Sequence, residues 1–458
     1  MISALARQSW SVSMQADRLI DTRKIMLVGY SVLLILTAKW AFAADERLAL
    51  ILYSGLLLPF FVLMRWPNAP VLLMASFTAT LAGKAIYAAT VNPLAGPDEI
   101  HYYEQVTTFE KLSQFMPYAM EQISTGWMNV SAYPVFGLLY MPFYKWLELD
   151  DPLAIILFNT VLLLLIVNSS YRLNESRFAY TLPDADNSRT PFIIISVIGL
   201  LMSPSLMYMS SLFAKDITCV WLGLLGAQLM VRRRWILFIL VILYATGLRD
   251  YAIIYTLSFY FLYTMRIRTA ICVMAAAAGL LFMQIGPLGI INAVMLSVFL
   301  FISPNPINFG NWEPELLLRT LEAVFMAFVL MISVYQAIVY KETRKFYLMA
   351  AVLIFTYACA LVLVGYVTIT GRELDYGVGT IGDNMVRKKL PVLPLLYTIG
   401  AYALIWCRKT FVQKHRKIQL AEENQLGEPE LLEPSATAWQ GRLAGGKGAE
   451  GHAGTRTT

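Results

Sequence analysis

Charge is scarce in this sequence. Lys, Arg, Asp and Glu make up 14% of its 458 residues, whereas hydrophobic residues make up 58% and the mean hydropathy is +0.59. A soluble globular domain carries about 25% charged residues. The composition therefore excludes an ordinary soluble domain and predicts an integral membrane protein. The net charge of +6 does not indicate nucleic-acid binding, because the basic residues occupy short loops between apolar runs.

Cysteine is also scarce, which limits the chemistry that the chain can perform. The four cysteines all lie in or at the edge of apolar segments: Cys219, Cys272, Cys359 and Cys407. None has the spacing of a metal site, and none lies in a long outer loop where a disulfide would be useful. We therefore expect neither a cysteine-based metal centre nor a disulfide framework.

Long apolar runs dominate the rest of the chain. A membrane-spanning helix needs about 20 apolar residues, so the sequence predicts an all-α polytopic protein with about twelve spans. The first run ends in Ala-Phe-Ala-Ala but is as long as a span, and we interpret it as an uncleaved anchor rather than a signal peptide. The predicted spans are 25–44, 48–64, 71–91, 152–170, 191–213, 217–231, 235–248, 251–265, 269–285, 318–340, 346–368 and 390–406.

The basic residues predict the orientation of these spans. With the N-terminus inside, every segment assigned to the inner side contains Lys or Arg, as the positive-inside rule requires. We expect a cytoplasmic segment 1–24, a membrane domain 25–406 and a cytoplasmic, largely disordered tail 407–458, typical of a bacterial inner-membrane protein. The predicted outer regions are 92–151, which should hold juxtamembrane helices, 286–317 and 369–389.

An acidic run, Gly-Pro-Asp-Glu-Ile-His-Tyr-Tyr-Glu, follows the third apolar segment. Charges near the membrane are costly, so they are functional candidates. Asp98 and Glu99 are the candidate catalytic carboxylates, and His101, Tyr102 and Tyr103 are candidate substrate contacts. Simpler roles stay open: Asp98 as a helix N-cap, Glu99 as a favourable charge at a helix N-terminus, and the rings as interfacial side chains.

A second group of charges is expected to lie below the outer surface. The predicted span between Arg234 and Arg249 holds fourteen residues, or roughly 21 Å of helix, against a hydrocarbon core of about 30 Å. Recessed charges must face a hydrated cavity or pair with one another. We therefore predict a polar pocket open to the outer side. Its charged residues would be Asp98, Glu99, Lys215, Asp216, Arg249, Arg372, Arg387, Lys388 and Lys389.

Cations in such a pocket suit a phosphate or diphosphate, and carboxylates suit a general base or a metal ion. The candidate phosphate ligands are Lys215, Arg249, Arg372 and Arg387, and Asp250 is a further candidate substrate contact. The alternatives are that Lys215-Asp216 and Arg249-Asp250 form self-contained ion pairs, and that Lys388 and Lys389 anchor the last span at the headgroups.

Four motifs in this layout are similar to those of a known group. They are Asp98-Glu99; Tyr133-Pro134-Val135-Phe136-Gly137-Leu138-Leu139-Tyr140 with Asn159 and Tyr171-Arg172; Ser203-Pro204 with Lys215-Asp216; and Asn384-Met385-Val386-Arg387 leading to Leu390-Pro391-Val392-Leu393-Pro394. Together they resemble the GT-C superfamily of polytopic glycosyltransferases. One departure is that the acidic pair follows the third span here, whereas the family usually has it after the first.

The resemblance implies a GT-C-like fold and inverting sugar transfer in surface polysaccharide biosynthesis. The donor would be a sugar or oligosaccharide linked to a polyprenyl phosphate or diphosphate, and the acceptor a lipid-linked or other glycan at the outer face. Asp98 would be the base. Some members place a divalent metal ion at the later acid, a position that corresponds to Asp216; no other cofactor is expected.

Other functions fit the same sequence. An O-antigen-type polymerase of different fold would rely on Arg249, Arg372 and Arg387 instead of the acidic pair. A transporter or flippase of lipid-linked glycans would show alternating access and an internal repeat, and the two halves of this chain show no repeat. A non-catalytic scaffold would tolerate replacement of all the recessed charges.

Overall fold

The computed structural model describes residues 91–124, 132–147, 201–249, 252–264, 266–371, 375–379 and 385–407, with isolated positions at 45, 87 and between 151 and 200. The predicted segments 1–24, 25–44 and 48–64 lie outside the described residues, and so does the predicted tail 407–458 apart from Cys407. The predicted spans 71–91 and 152–170 are described at isolated positions only. Arg372 and Asp250 also lie outside the described residues.

Every regular element among the described residues is a helix. We number them in chain order as α1 Pro97–Thr107, α2 Leu112–Ser124, α3 Ala132–Leu147, α4 Pro204–Met209, α5 Asp216–Val231, α6 Trp235–Leu248, α7 Ala252–Thr264, α8 Ile267–Ile285, α9 Pro287–Ile302, α10 Pro314–Val339, α11 Lys341–Thr370 and α12 Met385–Cys407. A 3-10 turn, Leu390–Val392, interrupts α12 near its start.

Four of these helices are long and apolar enough to cross a membrane: α8, the part of α10 from Leu316 to Val339, α11 and α12. Four shorter apolar helices accompany them, namely α5, α6, α7 and α9. The chain is thus an all-α integral membrane protein. Each predicted span between 217 and 406 coincides with one of these helices, whereas the total of about twelve stays a prediction.

The described part of the region 92–151 contains α1, α2 and α3. Its third helix carries an apolar face on which Phe136, Tyr140 and Tyr144 are fully buried. Phe136 and Tyr140 stack with ring centroids 4.0 Å apart, and Tyr144 packs against Phe213, 5.8 Å between centroids. This packing joins α3 to the segment before α5, and α3 also contacts α1 and α6. It holds the acidic run against the helical domain.

The predicted span 191–213 differs from the structure, because its helix is broken near Ser203. A turn at Met202 ends the first part, and α4 begins afresh at Pro204. Proline has no N–H to continue the helical hydrogen bonding, whereas the Ser203 hydroxyl accepts from the Leu206 N–H at 3.3 Å and caps the new helix. The residues after α4, up to Lys215, are not helical.

The region 286–317, predicted as an outer region, contains the apolar helix α9. Gly286 separates it from α8 with a φ of +76°, a conformation that favours glycine, and Pro287 follows at the first helical position. α9 packs against α8, α10 and α11. The sequence between α9 and α10 then turns through a short 3-10 helix, Phe309–Trp312.

We predict that close packing of α5 on α7 depends on two glycines. A Cβ at Gly223 would lie 2.9 Å from the Tyr255 Cβ, and one at Gly226 would lie 2.9 Å from the Thr256 hydroxyl oxygen. Gly223→Val should lower the free energy of unfolding by about 1–3 kcal/mol, because overpacking displaces neighbouring groups. Thermal unfolding of the purified chain in detergent measures the loss.

Gly279 is the matched control for this prediction. It lies within α8 and would have no neighbour within 4 Å of an added Cβ. Gly279→Ala should leave the thermal midpoint unchanged or raise it slightly, because alanine favours helix. Equal midpoints for Gly223→Val and Gly279→Ala would contradict the close approach of α5 and α7.

Candidate functional site

Arg387 lies at the centre of a charged cluster formed by distant parts of the chain. Its Nη1 donates to the Asp98 Oδ2 at 2.7 Å, and its Nη2 donates to the Glu99 Oε1. Its Nε lies 3.8 Å from the Asp216 Oδ2. The side chain is 24% exposed, so it is partly shielded from solvent. A single guanidinium therefore joins the start of α12 to the starts of α1 and α5.

The two adjacent carboxylates differ sharply in exposure. The Asp98 side chain is 50% exposed, whereas that of Glu99 is 3% exposed. Pro97 begins α1 and Gly96 is its N-cap residue, so Asp98 lies one position inside the helix. The alternative of Asp98 as the N-cap is therefore wrong. Glu99 lies in the first turn, where a negative charge is favourable, and also pairs with Arg387.

Arg387 and Tyr133 favour the ionised form of Asp98. Burial alone would raise the pKa of the Asp98 carboxyl, but the hydrogen bond and charge of Arg387, and the Tyr133 hydroxyl that donates to Oδ1 at 3.3 Å, outweigh it. The pKa of Asp98 is therefore below its ordinary value. Burial, and then the charge of Asp98, raise the pKa of Tyr133, so its hydroxyl keeps the proton that it donates.

Lys215 and Asp216 do not form the self-contained ion pair that one alternative gave, whereas the Arg249-Asp250 pair stays a prediction because Asp250 lies outside the described residues. Asp216 pairs with Arg249 across the start of α5 and the end of α6, with Oδ1 2.6 Å from Nη2. Lys215 instead donates to the Leu248 carbonyl oxygen at 2.7 Å. Burial, followed by the positive charge of Arg249, lowers the pKa of Lys215. We name Asp98, Glu99, Lys215, Asp216, Arg249 and Arg387 the Arg387 cluster.

This cluster is electrically balanced. Three carboxylates face three basic side chains, so the formal charge is zero when all six are ionised. The structure brings together six of the residues predicted for the polar pocket. It also pairs two of the predicted phosphate ligands, Arg249 and Arg387, with acids. A phosphate would have to displace a carboxylate from one of them.

The aromatic candidates lie in different environments. Tyr102 is 4% exposed and its ring packs against Tyr133 and Phe136, with the Lys215 Nζ 5.7 Å from its centroid. The ring of Tyr102 is covered in this arrangement, and its role as a sugar contact stays a prediction. Tyr103 is partly buried against Phe213.

His101 is the exposed member of the aromatic group. Its Nδ1 lies 3.1 Å from the Glu104 carboxylate, and both side chains are 55% exposed. Its ring centroid lies 5.5 Å from that of Tyr133, which itself contacts Asp98. His101 is therefore the aromatic candidate whose placement leaves it accessible to a substrate beside Asp98.

Asp216 does not fit a metal ion in this arrangement. One of its oxygens is 2.6 Å from Arg249 and the other 3.8 Å from Arg387, so a cation would meet two guanidinium groups. Among the described residues, no three His, Cys, Asp or Glu side chains form a metal-binding group. The cations already neutralise this carboxylate.

A second buried network, centred on Glu322, is not predicted from the sequence. Glu322 of α10 accepts hydrogen bonds from the Ser203 hydroxyl at 2.5 Å, the Tyr397 hydroxyl at 2.8 Å and the Ser205 hydroxyl. Lys389 lies 3.4 Å from Glu322 and donates to the Ser303 carbonyl oxygen at 3.2 Å. Lys389 is completely buried, so its interpretation as a headgroup anchor is wrong. An acid inside an apolar helix was the signal available.

Comparisons with protein-family models, curated proteins and solved structures find no match for this chain. Its function must therefore be inferred from the arrangement of its own residues. The strongest arrangement is the Arg387 cluster, in which one carboxylate is exposed and its neighbours are paired.

We predict that the adjacent acids contribute unequally to stability. Glu99→Gln removes a buried charge from Arg387 and should lower the free energy of unfolding by about 3 kcal/mol. Asp98→Asn alters a half-exposed pair and should cost less than about 1 kcal/mol. Chemical denaturation of the full chain in detergent would measure both losses, and equal losses would contradict the difference in burial.

Proposed function

We propose that this chain is a membrane glycosyltransferase that moves a sugar or oligosaccharide from a polyprenyl phosphate or diphosphate to a glycan acceptor. The observation that carries the proposal is the placement of Asp98. Its half-exposed carboxylate is held by Arg387 and Tyr133, beside a buried, paired Glu99. An ionised, accessible carboxylate with a fixed position is what a general base requires.

The proposed reaction is a direct displacement. The acceptor hydroxyl oxygen bonds to the anomeric carbon while the bond from that carbon to the carrier phosphate oxygen breaks. The phosphate leaves with the bonding electron pair, and Asp98 receives the hydroxyl proton. Glu99 is a positioning residue, because it contacts Arg387 and is almost completely buried. His101 is the proposed aromatic contact to the incoming sugar.

Arg387 would link donor binding to the basicity of Asp98. In the free protein Arg387 holds the pKa of Asp98 low, which makes the carboxylate a weak base. A donor phosphate that drew Arg387 towards itself would weaken this pair. The carboxylate would then become more basic when the substrate is present. Lys215 and Arg249 would supply further positive charge as the leaving group forms.

The same proposal includes the membrane arrangement. About twelve spans in a GT-C-like fold, with cytoplasmic termini, would place the Arg387 cluster at the outer face of a bacterial inner membrane. The helix α9 is as long as α5, so its length does not decide whether it crosses, and the proposal gives it a re-entrant course on the basis of charge. A re-entrant α9 preserves the alternation of basic loops, whereas a crossing α9 would put Lys341, Arg344 and Lys345 outside.

One observation favours a second candidate. Arg249 and Arg387 both approach Asp216, so two arginines converge on a single site. That convergence supports an O-antigen-type polymerase in which these arginines, with Arg372, act on two lipid-linked substrates. In that case the arginines would be essential and Asp98 would be dispensable.

We predict that Asp98→Asn lowers the transfer rate roughly 10²–10⁴-fold at normal expression, as expected for loss of a general base. The measurement is the profile of lipid-linked and surface glycans in cells that carry each variant. Cells with Asp98→Asn should accumulate a lipid-linked precursor and lose the extended product. Precursor size separates the transfer of one sugar from polymerisation.

Glu121→Gln is the control, since Glu121 is an exposed acid on α2, in the same region 92–151, and does not belong to the Arg387 cluster. It should leave the glycan profile unchanged. Unchanged glycans with Asp98→Asn would falsify the role of the base. If Arg249→Lys and Arg387→Lys then abolish product, the arginine-based polymerase is supported; if all these variants retain product, a transporter or a scaffold is favoured.

We also predict a pH effect for Tyr133→Phe. The Tyr133 hydroxyl lowers the pKa of Asp98, so its removal should raise that pKa. The acid limb of the kcat/KM profile reports the base in the free enzyme, and it should move to higher pH. A pH profile in isolated membranes would measure the shift, and an unmoved acid limb would show that Asp98 is not the titrating base.

A further inference from the structure

Arg319 is a buried arginine for which the described residues provide no ion pair. It lies on α10 and is 7% exposed. Its guanidinium carbon lies 3.9 Å from the centroid of the Tyr208 ring. Its Nε is buried with no hydrogen-bond partner, and no described carboxylate lies within ion-pair distance. An arginine cannot lose its proton to relieve this burial.

A second unpartnered polar atom belongs to Tyr87, whose ring also contacts Tyr208. The Tyr87 ring meets the Tyr208 ring edge-on, with centroids 5.9 Å apart, and is 3% exposed. Its hydroxyl is buried and has no hydrogen-bond partner. The charges of Arg319 and Glu322 both act on this hydroxyl. Tyr87 and Arg319 therefore both contact the Tyr208 ring, and neither the Tyr87 hydroxyl nor the Arg319 Nε has a hydrogen-bond partner.

Glu322 does not balance Arg319. Although it lies one turn further along α10, its oxygens accept from Ser203, Ser205 and Tyr397, and its ion pair is with Lys389. Two cations and one acid are thus buried in this part of the described chain. Burying an uncompensated charge costs several kcal/mol, so an arrangement of this kind calls for an anion.

We propose that Arg319, with the Tyr87 hydroxyl, binds the phosphate group of a membrane lipid. Stacking on Tyr208 covers one face of the guanidinium and leaves its edge donors for a planar, bidentate contact to phosphate oxygens. The apolar part of α10 begins at Leu316, so Arg319 lies within its first turn, where lipid phosphates are expected. Leu317 and Leu321 are exposed beside it and suit the lipid chain. The site goes beyond the proposed transfer and does not depend on it.

The test measures lipid-dependent stabilisation of the full chain in detergent. Thermal unfolding is followed with phosphatidic acid in mixed micelles, with phosphatidylcholine, or with sodium diphosphate alone. Wild type should be stabilised by phosphatidic acid more than by phosphatidylcholine. Arg319→Met should raise the apparent dissociation constant for phosphatidic acid by about tenfold or more, because charge-assisted hydrogen bonds are lost. Arg268→Met, an exposed arginine on α8, is the matched control and should retain the wild-type response.

Thermal unfolding without added ligand distinguishes a ligand-binding role of Arg319 from a structural role. If Arg319 serves a ligand, Arg319→Met removes an uncompensated charge and should unfold at or above the wild-type temperature. A less stable Arg319→Met that keeps the full phosphatidic acid response would overturn the proposal. Should that variant not fold, Tyr87→Phe removes a single oxygen and should weaken binding several-fold. Stabilisation of the wild type by sodium diphosphate without lipid would show that the site binds free phosphate as well as a lipid phosphate. If neither phosphatidic acid nor diphosphate stabilises the wild type, the proposal is wrong.

Discussion

The charge of Arg387 is the constraint on which the described structure depends. An arginine side chain stays protonated at any physiological pH, so it must be matched wherever water is scarce. Here the match comes from Asp98, Glu99 and Asp216, which belong to two helices far apart in the sequence. Because the guanidinium can contact all three acids at once, the acidic run, α5 and α12 are held in one arrangement.

The start of α12 extends this constraint to a second network. Two residues after Arg387, Lys389 is completely buried and pairs with Glu322. A 3-10 turn follows at once, and the Tyr357 hydroxyl donates to the Lys388 carbonyl oxygen at 2.7 Å. The segment 387–389 is therefore held by an ion pair at each end and by a backbone hydrogen bond at Lys388. A shift of α12 along its axis would disturb both clusters together.

Depth and charge made part of this site predictable. The short spans predict that Lys215, Asp216 and Arg249 are recessed, and the predicted topology puts Asp98, Glu99 and Arg387 at the same polar pocket. The structure brings these six together. The pairing partners were not predictable, since many combinations of three acids and three bases satisfy the same charge balance. Which of two adjacent carboxylates is buried depends on the residue at which the helix begins. Here α1 begins at Pro97, one residue before Asp98.

Other features depended on contacts between distant segments. Tyr102 looked like an interfacial ring, yet α3 supplies Tyr133 and Phe136 to cover it. The Ser203-Pro204 pair is visible in the sequence, but the role of its hydroxyl is not. The hydroxyls of Ser203 and Ser205 donate to Glu322, which lies more than a hundred residues later in the sequence. Hydropathy identified α5 to α8 and α10 to α12 well, since apolar length is a property of each segment by itself, whereas the region of α9 was predicted as an outer region.

The two charged regions differ in a way that bears on any anionic substrate. In the Arg387 cluster every cation has protein partners, so a phosphate must first compete with a carboxylate already in place. That competition lowers the affinity for phosphate. Phosphate binding to Arg387 would also weaken the ion pair between Arg387 and Asp98. At Arg319 no described acid competes, so a phosphate would gain a charged contact without breaking one. A balanced cluster suits a site that must change during a reaction, whereas an uncompensated cation suits a site that holds its ligand.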